Sequence, residues 1–472
     1  MPQNKFKWPL INDNITMEDK IAMSSFISKP GVRFTNGDKV RQFESVWSDW
    51  EGVKNTTFVN SGASANYIMM SVVKELKGTG EVIVPPLGWV SDIAPVVNLG
   101  MTPVFVDINP ETLCIGYDNI VKAVSEDTVA IIIVHALGFN GIDERIVDFA
   151  RENDIILIED CCEAHGATYN GKRVGSFGDM SNFSFYFGHH ITTIEGGVVC
   201  TNNDTMHEYI RLFRSHGMTR ETSPEFQKEY QEKYPNLNPL FTFAVPGYNM
   251  RNAEINAVLG LEQMNRLDYN IERRVHNMSL WNSSLDSEFY YTDYELEGNS
   301  NFALPLVLRE NDSDRFKKVC DILEAEKVEY RTGTAGGGNQ TMQPYLLEGK
   351  YDYKIVGDMS YVNHIHYNSL YVGNHTELTD KQIKQLCERI NMFKNKKVLV
   401  TGGHGMIGRE LVNMLVDLGA IVTVADISKN TNLVGITYKQ VDLCYFKQCI
   451  EVCIGQDIIF NLAAIKGSPK MC

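Results

Sequence analysis

Ile155-Ile156-Leu157-Ile158-Glu159-Asp160-Cys161-Cys162-Glu163-Ala164-His165-Gly166 runs from four aliphatic residues into a cluster of carboxylates and then a glycine. An apolar run this short, closed by polar residues, reads as a strand covered on both faces. A carboxylate just after such a strand stands at the sheet edge where α/β folds bind their ligands. Similar runs recur on either side: Val82-Ile83-Val84, Pro103-Val104-Phe105-Val106, Ala130-Ile131-Ile132-Ile133-Val134 and Val198-Val199-Cys200. Helical patterns lie between them, so the alternation predicts an α/β chain with a mostly parallel sheet and helical crossovers.

The chain of 472 residues is 43% hydrophobic and 22% charged, which are globular proportions with room for two or three domains. Wholesale disorder and a small disulfide scaffold are excluded. The longest apolar stretch, Val129 to Val134, is far short of the ~20 residues that cross a bilayer, and Met1-Pro2-Gln3-Asn4-Lys5-Phe6-Lys7 runs into no signal-peptide core. The expectation is a soluble cytoplasmic protein with no membrane partner. A net charge of -15 argues against a nucleic-acid partner, since no stripe of Lys and Arg is present to neutralise phosphates. The ten cysteines are scattered without a CxxC pair, which suggests neither a zinc ribbon nor another metal site.

From about Glu262 the pattern changes to a long charged helix containing Arg266, Glu272, Arg273 and Arg274, followed by shorter elements as far as Phe393. Lys394-Asn395-Lys396-Lys397 then leads into Val398-Leu399-Val400-Thr401-Gly402-Gly403-His404-Gly405-Met406-Ile407-Gly408, a strand, a glycine-rich turn and the start of a helix. Three domains are expected: a large one over 1–265, a small one over 266–394, and a third over 395–472.

Four segments at expected strand ends and helix starts carry the first chemistry. Asn60-Ser61-Gly62-Ala63-Ser64-Ala65-Asn66 offers N–H groups and hydroxyls to a phosphate at a helix N-terminus. Trp89, in Pro86-Leu87-Gly88-Trp89, offers an aromatic face for a flat ring, and Asp160 a carboxylate for a protonated ring nitrogen. The fourth runs from Ser184 through Phe185-Tyr186-Phe187-Gly188-His189-His190-Ile191-Thr192-Thr193-Ile194-Glu195-Gly196-Gly197. Taken singly, these are a helix cap, a core tryptophan and an N-cap aspartate. Their joint order describes a pocket for a flat, phosphorylated, cationic heterocycle.

These segments, with Phe34-Thr35-Asn36-Gly37 and Gly247-Tyr248-Asn249-Met250-Arg251, resemble the DegT-type nucleotide-sugar aminotransferases from about Val32 to Phe393. The resemblance implies the fold-type I pyridoxal phosphate architecture, a large mostly parallel sheet domain with a small α+β domain. It implies that Gly62, Ala63, Ser64 and Ser184 hold the phosphate of pyridoxal 5'-phosphate, that Trp89 stacks on its ring, and that Asp160 pairs with its ring nitrogen. Asn249 and Arg251 match a loop that reaches the neighbouring subunit, implying a homodimer with shared active sites, and Asn249 and Glu163 are further candidate cofactor ligands. His216, in Arg214-Ser215-His216-Gly217, and Arg251 are candidate substrate ligands.

The aminotransferases of this family carry their Schiff-base lysine at the position of His189, and here no lysine occurs between Lys172 and Lys228. Histidine forms no stable imine but moves protons near neutral pH. The exchange marks the family's sugar 3-dehydratases, among which the chain looks most like those acting on GDP-linked 4-keto-6-deoxymannose. Glu163, where aminotransferases usually carry glutamine, and Gly333-Thr334-Ala335-Gly336-Gly337-Gly338-Asn339-Gln340 point the same way. In that reaction L-glutamate supplies the amino group that converts the cofactor to pyridoxamine 5'-phosphate, and His189 removes a proton beside it. The 3-hydroxyl of the nucleotide sugar then leaves as water, and ammonia and a 4-keto-3,6-dideoxy sugar are released. A second dehydratase type needs four late cysteines for an iron-sulfur cluster; only Cys320 and Cys387 lie between Cys200 and Phe393, so no cluster is expected. The alternatives are a nucleotide-sugar aminotransferase, and a catalytically silent sugar-binding protein with His189 as a packing residue. His190 reads as a packing residue.

In the last segment, Gly402, Gly405 and Gly408 let a turn approach a pyrophosphate, and Asp426, ending Val422-Thr423-Val424-Ala425-Asp426, stands where an acid binds a ribose hydroxyl. With Asp442 and Phe460-Asn461-Leu462-Ala463-Ala464 the segment resembles extended short-chain dehydrogenases acting on nucleotide sugars, which implies NAD(P). The resemblance breaks off before the Tyr-x-x-x-Lys pair, so no reductase or epimerase activity is expected from this chain, and a fusion to a truncated second enzyme is.

Overall fold

The structure, a computed structural model, describes residues 6–391, 396–429 and 432–464. Met1–Lys5 of the N-terminal segment and the Lys394-Asn395 junction lie outside the described residues. The chain forms two compact units, Met1–Lys384 and Gln385–Cys472.

The first unit is built on an eight-stranded sheet: β1 (Asn55–Val59), β2 (Glu81–Val84), β3 (Thr102–Val106), β4 (Thr128–Val134), β5 (Ile156–Asp160), β8 (Met180–Ser184), β9 (Gly197–Thr201) and β12 (Lys354–Val356). A small hairpin of β6 (Thr168–Tyr169) and β7 (Lys172–Arg173) precedes β8. The order across the sheet is β1-β9-β8-β5-β4-β2-β3-β12, with β9 antiparallel to both neighbours and the other pairs parallel. The aliphatic runs of β4 and β5 are buried, as a sheet covered on both faces requires.

Neither β8 nor β12 carries an aliphatic run long enough to announce a strand. β8, Met-Ser-Asn-Phe-Ser, is buried throughout because its polar side chains find partners: Ser181 Oγ donates to the Gly175 carbonyl at 2.5 Å and Asn182 Nδ2 to Asp160 at 3.2 Å. β12, inside the stretch expected to form a small domain, instead pairs with β3 at the edge of the large sheet. Around it lie a three-stranded antiparallel sheet of β10 (Ala303–Val307), β13 (Ser369–Gly373) and β11 (Tyr330–Thr332), and the helices Leu267–Ser284, Ser313–Glu326 and Ser360–Asn368.

The helix Gly62–Lys77 starts where Ser61 Oγ accepts from the Ser64 N–H at 3.1 Å. Ala65, Ile68, Met69, Val72 and Val73 bury its inner face. Its amino end and the carboxyl ends of β2, β4 and β5 converge.

The second unit is a parallel sheet ordered β16 (Ile436–Gln440), β15 (Ile421–Asp426), β14 (Lys397–Thr401), β17 (Ile458–Asn461), the 3-2-1-4 start of a Rossmann sheet. Val398, Val400, Val412, Leu415, Val422 and Val424 form its core. The turn needs its glycines: Gly402 has φ +67°, and a Cβ on Gly408 would lie 2.5 Å from the Gly402 carbonyl. No helix among the described residues is long and apolar enough to cross a membrane.

Candidate active site

Asp160 closes β5 and is buried. One carboxylate oxygen accepts from Asn66 Nδ2 at 2.8 Å and Asn182 Nδ2 at 3.2 Å; the other accepts from the Cys162 N–H at 2.9 Å. The Asn66 amide also donates to Asp92 at 2.9 Å. Two buried carboxyls sharing one amide cannot both ionise cheaply: burial first, then the neighbouring Asp160 charge, push Asp92 well above the usual carboxylate range. Asp160, which accepts three N–H hydrogen bonds, is the carboxylate placed to face a ring cation.

The amino end of the helix Gly62–Lys77 sits against Ser184. A Cβ on Gly62 would stand 2.8 Å from Ser184 Cβ and 3.1 Å from Cys162 Sγ, so only glycine lets the helix end and the serine approach. Ala63 and Ser64 follow in the first turn, and the Ser184 hydroxyl accepts from the Tyr186 N–H at 3.3 Å. Trp89, far from being core, is 57% exposed and lines an open cavity of about 430 Å³ with Tyr330, Arg331, Gly336 and Tyr371.

Glu163 accepts from the Leu137 N–H at 2.7 Å, and burial, reinforced by Asp160, raises its carboxyl to about 7. His189 follows β8 on a turn, its ring among Phe302, His165 and Tyr186 with centroids 5.2, 5.9 and 6.3 Å away. Burial, then the Arg274 guanidinium, draws it down to about 4 against the opposing pull of Asp160. Its Nδ1 is buried without a partner. A neutral imidazole with a free ring nitrogen is a general base at neutral pH. His190 is different: its Nε2 faces two Ser300 oxygens, the carbonyl at 3.1 Å and the hydroxyl at 3.0 Å. Because that hydroxyl already donates to the His165 carbonyl at 2.6 Å, His190 Nε2 carries the proton and is locked in place.

His216, Asn249 and Arg251 are brought together beside the end of β1, where Arg251 pairs with Val59 and the Asn60 N–H donates to the Met250 carbonyl at 3.0 Å. The His216 N–H donates to the Tyr248 carbonyl at 2.8 Å, Ser215 bridges to Asn249, and Arg251 Nε donates to Asn249 Oδ1 at 3.0 Å. No hydrogen bond among the described residues ties these three side chains to Asp160 or His189. In the second unit Asp426 accepts from the His404 N–H at 3.0 Å and from the Ser428 N–H at 3.0 Å, which fixes the carboxylate beside the glycine turn.

Among the described residues, His135, Glu159 and Cys161 have side-chain atoms close enough to share a ligand. Hydrogen bonds occupy them instead. Glu159 accepts from the N–H groups of Gly175, Phe177 and Gly178 at 2.6–2.8 Å, and His135 Nδ1 accepts from the Gly141 N–H at 3.0 Å, leaving Nε2–H to donate to Glu159 at 3.3 Å. This network pins the end of β5 beneath Asp160.

Residues 18–391 match the DegT/DnrJ/EryC1/StrS aminotransferase family. The chain belongs to that family. Residues 398–471 match the NAD dependent epimerase/dehydratase family. Over 363 residues the chain is 33% identical to a GDP-4-keto-6-deoxy-D-mannose 3-dehydratase of Yersinia pseudotuberculosis, covering 75% of this chain and 91% of that one. The structure of the E. coli GDP-4-keto-6-deoxy-D-mannose-3-dehydratase with bound hydrated PLP superposes with a TM-score of 0.74 at 28% identity, covering 82% of this chain and 99% of that one. A GDP-4-keto-6-deoxymannose-3-dehydratase with a trapped PLP-glutamate geminal diamine gives 0.73 at 28% identity, covering 81% and 100%. The first unit is thus a fold-type I pyridoxal phosphate fold.

The residues present fit the family's cofactor. A helix end made approachable by Gly62, the Ser184 hydroxyl, the Trp89 face and the Asp160 carboxyl answer to a phosphate, a flat ring and a ring cation. The amine that would tether it is missing: Lys172, the nearest preceding lysine, donates to the Ser176 carbonyl at 2.9 Å and lies over the Phe177 ring. Asn66, Asp92 and Asn182 were not singled out from the sequence. Asp92, three residues after Trp89, carried the one signal available, a carboxylate in the first turn of a helix at a ligand-binding edge.

Proposed function

We propose that the chain is a glutamate-dependent, pyridoxal phosphate-dependent lyase that removes the 3-hydroxyl of GDP-4-keto-6-deoxymannose. The observation that carries this reading is His189: a half-buried, neutral base at the position of the tethering lysine. Bound here, pyridoxal phosphate supplies an amino-group carrier and an electron sink. The chain's own residues do the rest. Asp160, oriented by Asn66 and Asn182, keeps a ring nitrogen protonated; Gly62, Ala63, Ser64 and Ser184 hold a phosphate without a covalent tether; Trp89 covers one ring face. Neutral His189 accepts the proton released beside the cofactor and returns it to the departing hydroxyl, and Glu163, near neutrality, is a second group able to exchange a proton.

On this reading residues 1–265 are the cofactor domain and 266–394 the small domain, in a cytoplasmic homodimer. Exposed Leu240, Phe241, Phe243 and Tyr248 support a second copy covering the loop that ends in Asn249 and Arg251. Residues 395–472 carry a half-site for NAD(P), supported by Gly402, Gly405, Gly408 and Asp426. The test is incubation with pyridoxal phosphate, L-glutamate and GDP-4-keto-6-deoxymannose. The expected result is a sugar product lighter by one oxygen, with ammonia and 2-oxoglutarate formed in equal amounts. A stable amino sugar would mean transamination, and ligand binding without ammonia a silent binder; either outcome overturns the proposal.

A further inference from the structure

Arg274, on the helix Leu267–Ser284, is a buried cation without a carboxylate. It is 7% exposed; Nη1 donates to the Phe302 carbonyl at 2.9 Å and Nη2 to the His189 carbonyl at 3.5 Å, while Nε has no acceptor. Arg266 and Arg273 nearby hold Asp19 and Asp380, yet none of the ion pairs among the described residues includes Arg274. Burial draws its guanidinium down to about 10, so it remains charged at neutral pH. A buried charge left without its counter-charge is costly.

The guanidinium lines a cavity of about 50 Å³ behind the His189-His190 turn, walled also by Asn14 and His375 and rimmed by Asp13 and Glu377. Both ring nitrogens of His375, Nδ1 of His190 and Oδ1 of Asn14 are buried without partners. The two rim carboxylates are exposed and engaged by their own neighbourhood: Asp13 accepts from the Ile15 N–H at 3.0 Å, and Glu377 from the Asn12 side-chain amide. A water needs roughly 10–15 Å³ by this measure, so the cavity has room for a few water-sized species and none for glutamate or a nucleotide sugar.

We propose that this cavity is a binding site for a small monovalent inorganic anion of halide size, held by Arg274 and His375 behind the His189 segment. Water alone would satisfy the orphaned donors but leave the charge uncompensated; a halide does both, and the orphaned acceptor Asn14 Oδ1 takes a bridging water. The groups acting on His189 from its surroundings are Arg274, which lowers its proton affinity, and Asp160, which raises it; His165 and His190 are themselves held neutral by burial. An anion on Arg274 offsets the first of these and makes His189 the stronger base.

Bromide replacing chloride in crystals of the full chain, with anomalous diffraction at the bromine edge, should give a peak in contact with the Arg274 guanidinium. In solution, raising chloride at ionic strength held constant with a bulky organic anion should raise the thermal midpoint by about 2 °C. Arg274→Met, which removes the charge and keeps the apolar length, should abolish that shift; if this variant does not fold, the bromide map and the wild-type midpoint decide. Non-anomalous water at the guanidinium, or the carboxylate of Asp13 or Glu377 swung onto it, overturns the proposal. So does bromide density without any chloride dependence of the midpoint, which marks an adventitious ion only.

Discussion

Titrating His189 between pH 4 and 8 separates it from an ordinary histidine. Burial and the Arg274 guanidinium hold its imidazole at about 4, with Asp160 only partly opposing them. At pH 6 a free imidazole, titrating near 6.5, is about three-quarters protonated, whereas a group titrating near 4 is protonated in about one molecule in a hundred. The acid limb of kcat/KM for glutamate-dependent ammonia release from GDP-4-keto-6-deoxymannose is therefore expected near pH 4, with no loss between pH 7 and 5 from this group. Glu163, near 7, gives a separate inflection, and Glu163→Gln removes it and isolates the His189 limb. Replacing the base by His189→Asn should lower kcat by about 10²–10⁴-fold, the usual worth of a positioned general base, or about 3–5 kcal/mol of barrier. Cofactor affinity should hold, because Asp160, Asn66 and Ser184 are untouched. The imidazole resonances followed by NMR give the same titration without turnover. A His189 that titrates near 6.5, or an Asn variant within tenfold of wild type, refutes the assignment of His189 as a desolvated neutral base.

Three further outcomes follow from the packing. Glu163 in the folded chain keeps its proton to about 7, while the unfolded carboxyl loses it near 4.3, so wild type loses stability as pH rises between these values. Relative to wild type, Glu163→Gln should gain about 1–3 kcal/mol between pH 4 and pH 8 in urea titrations, after discounting for partial exposure. Arg214 is fully buried and its Nη1 lies 2.7 Å from Glu44 Oε1, so Glu44→Gln strands a buried cation and should cost about 3–5 kcal/mol by thermal or chemical unfolding. Gly62→Ala puts a methyl group 2.8 Å from Ser184 Cβ, and a clash of this kind, about 1–3 kcal/mol, should weaken pyridoxal phosphate at least tenfold in spectrophotometric titration while the fold persists.

What the sequence determined by itself is local. The aliphatic runs of β2, β3, β4, β5 and β9 announce strands because a strand covered on both faces must be apolar along its length. The turn at Gly402–Gly408 announces its helix because only glycines permit that approach. Asp160 and His189 stand out because a carboxylate and an imidazole at fixed places in a motif carry chemistry without reference to distant residues. Tertiary structure decided everything that depends on a partner far along the chain. β8 reads as polar until Asp160 and Gly175 are beside it. The Ile-Val pair of β12 is too short to announce a strand and joins the large sheet only because β3 offers an unpaired edge. The Asp92 carboxyl is pushed well above its ordinary range because folding buries it and sets it beside Asp160. Arg274, one of several charges on a helix that reads as solvated, is buried against the His189 carbonyl, since a helix's sequence shows which residues share a face but not which face the rest of the protein covers.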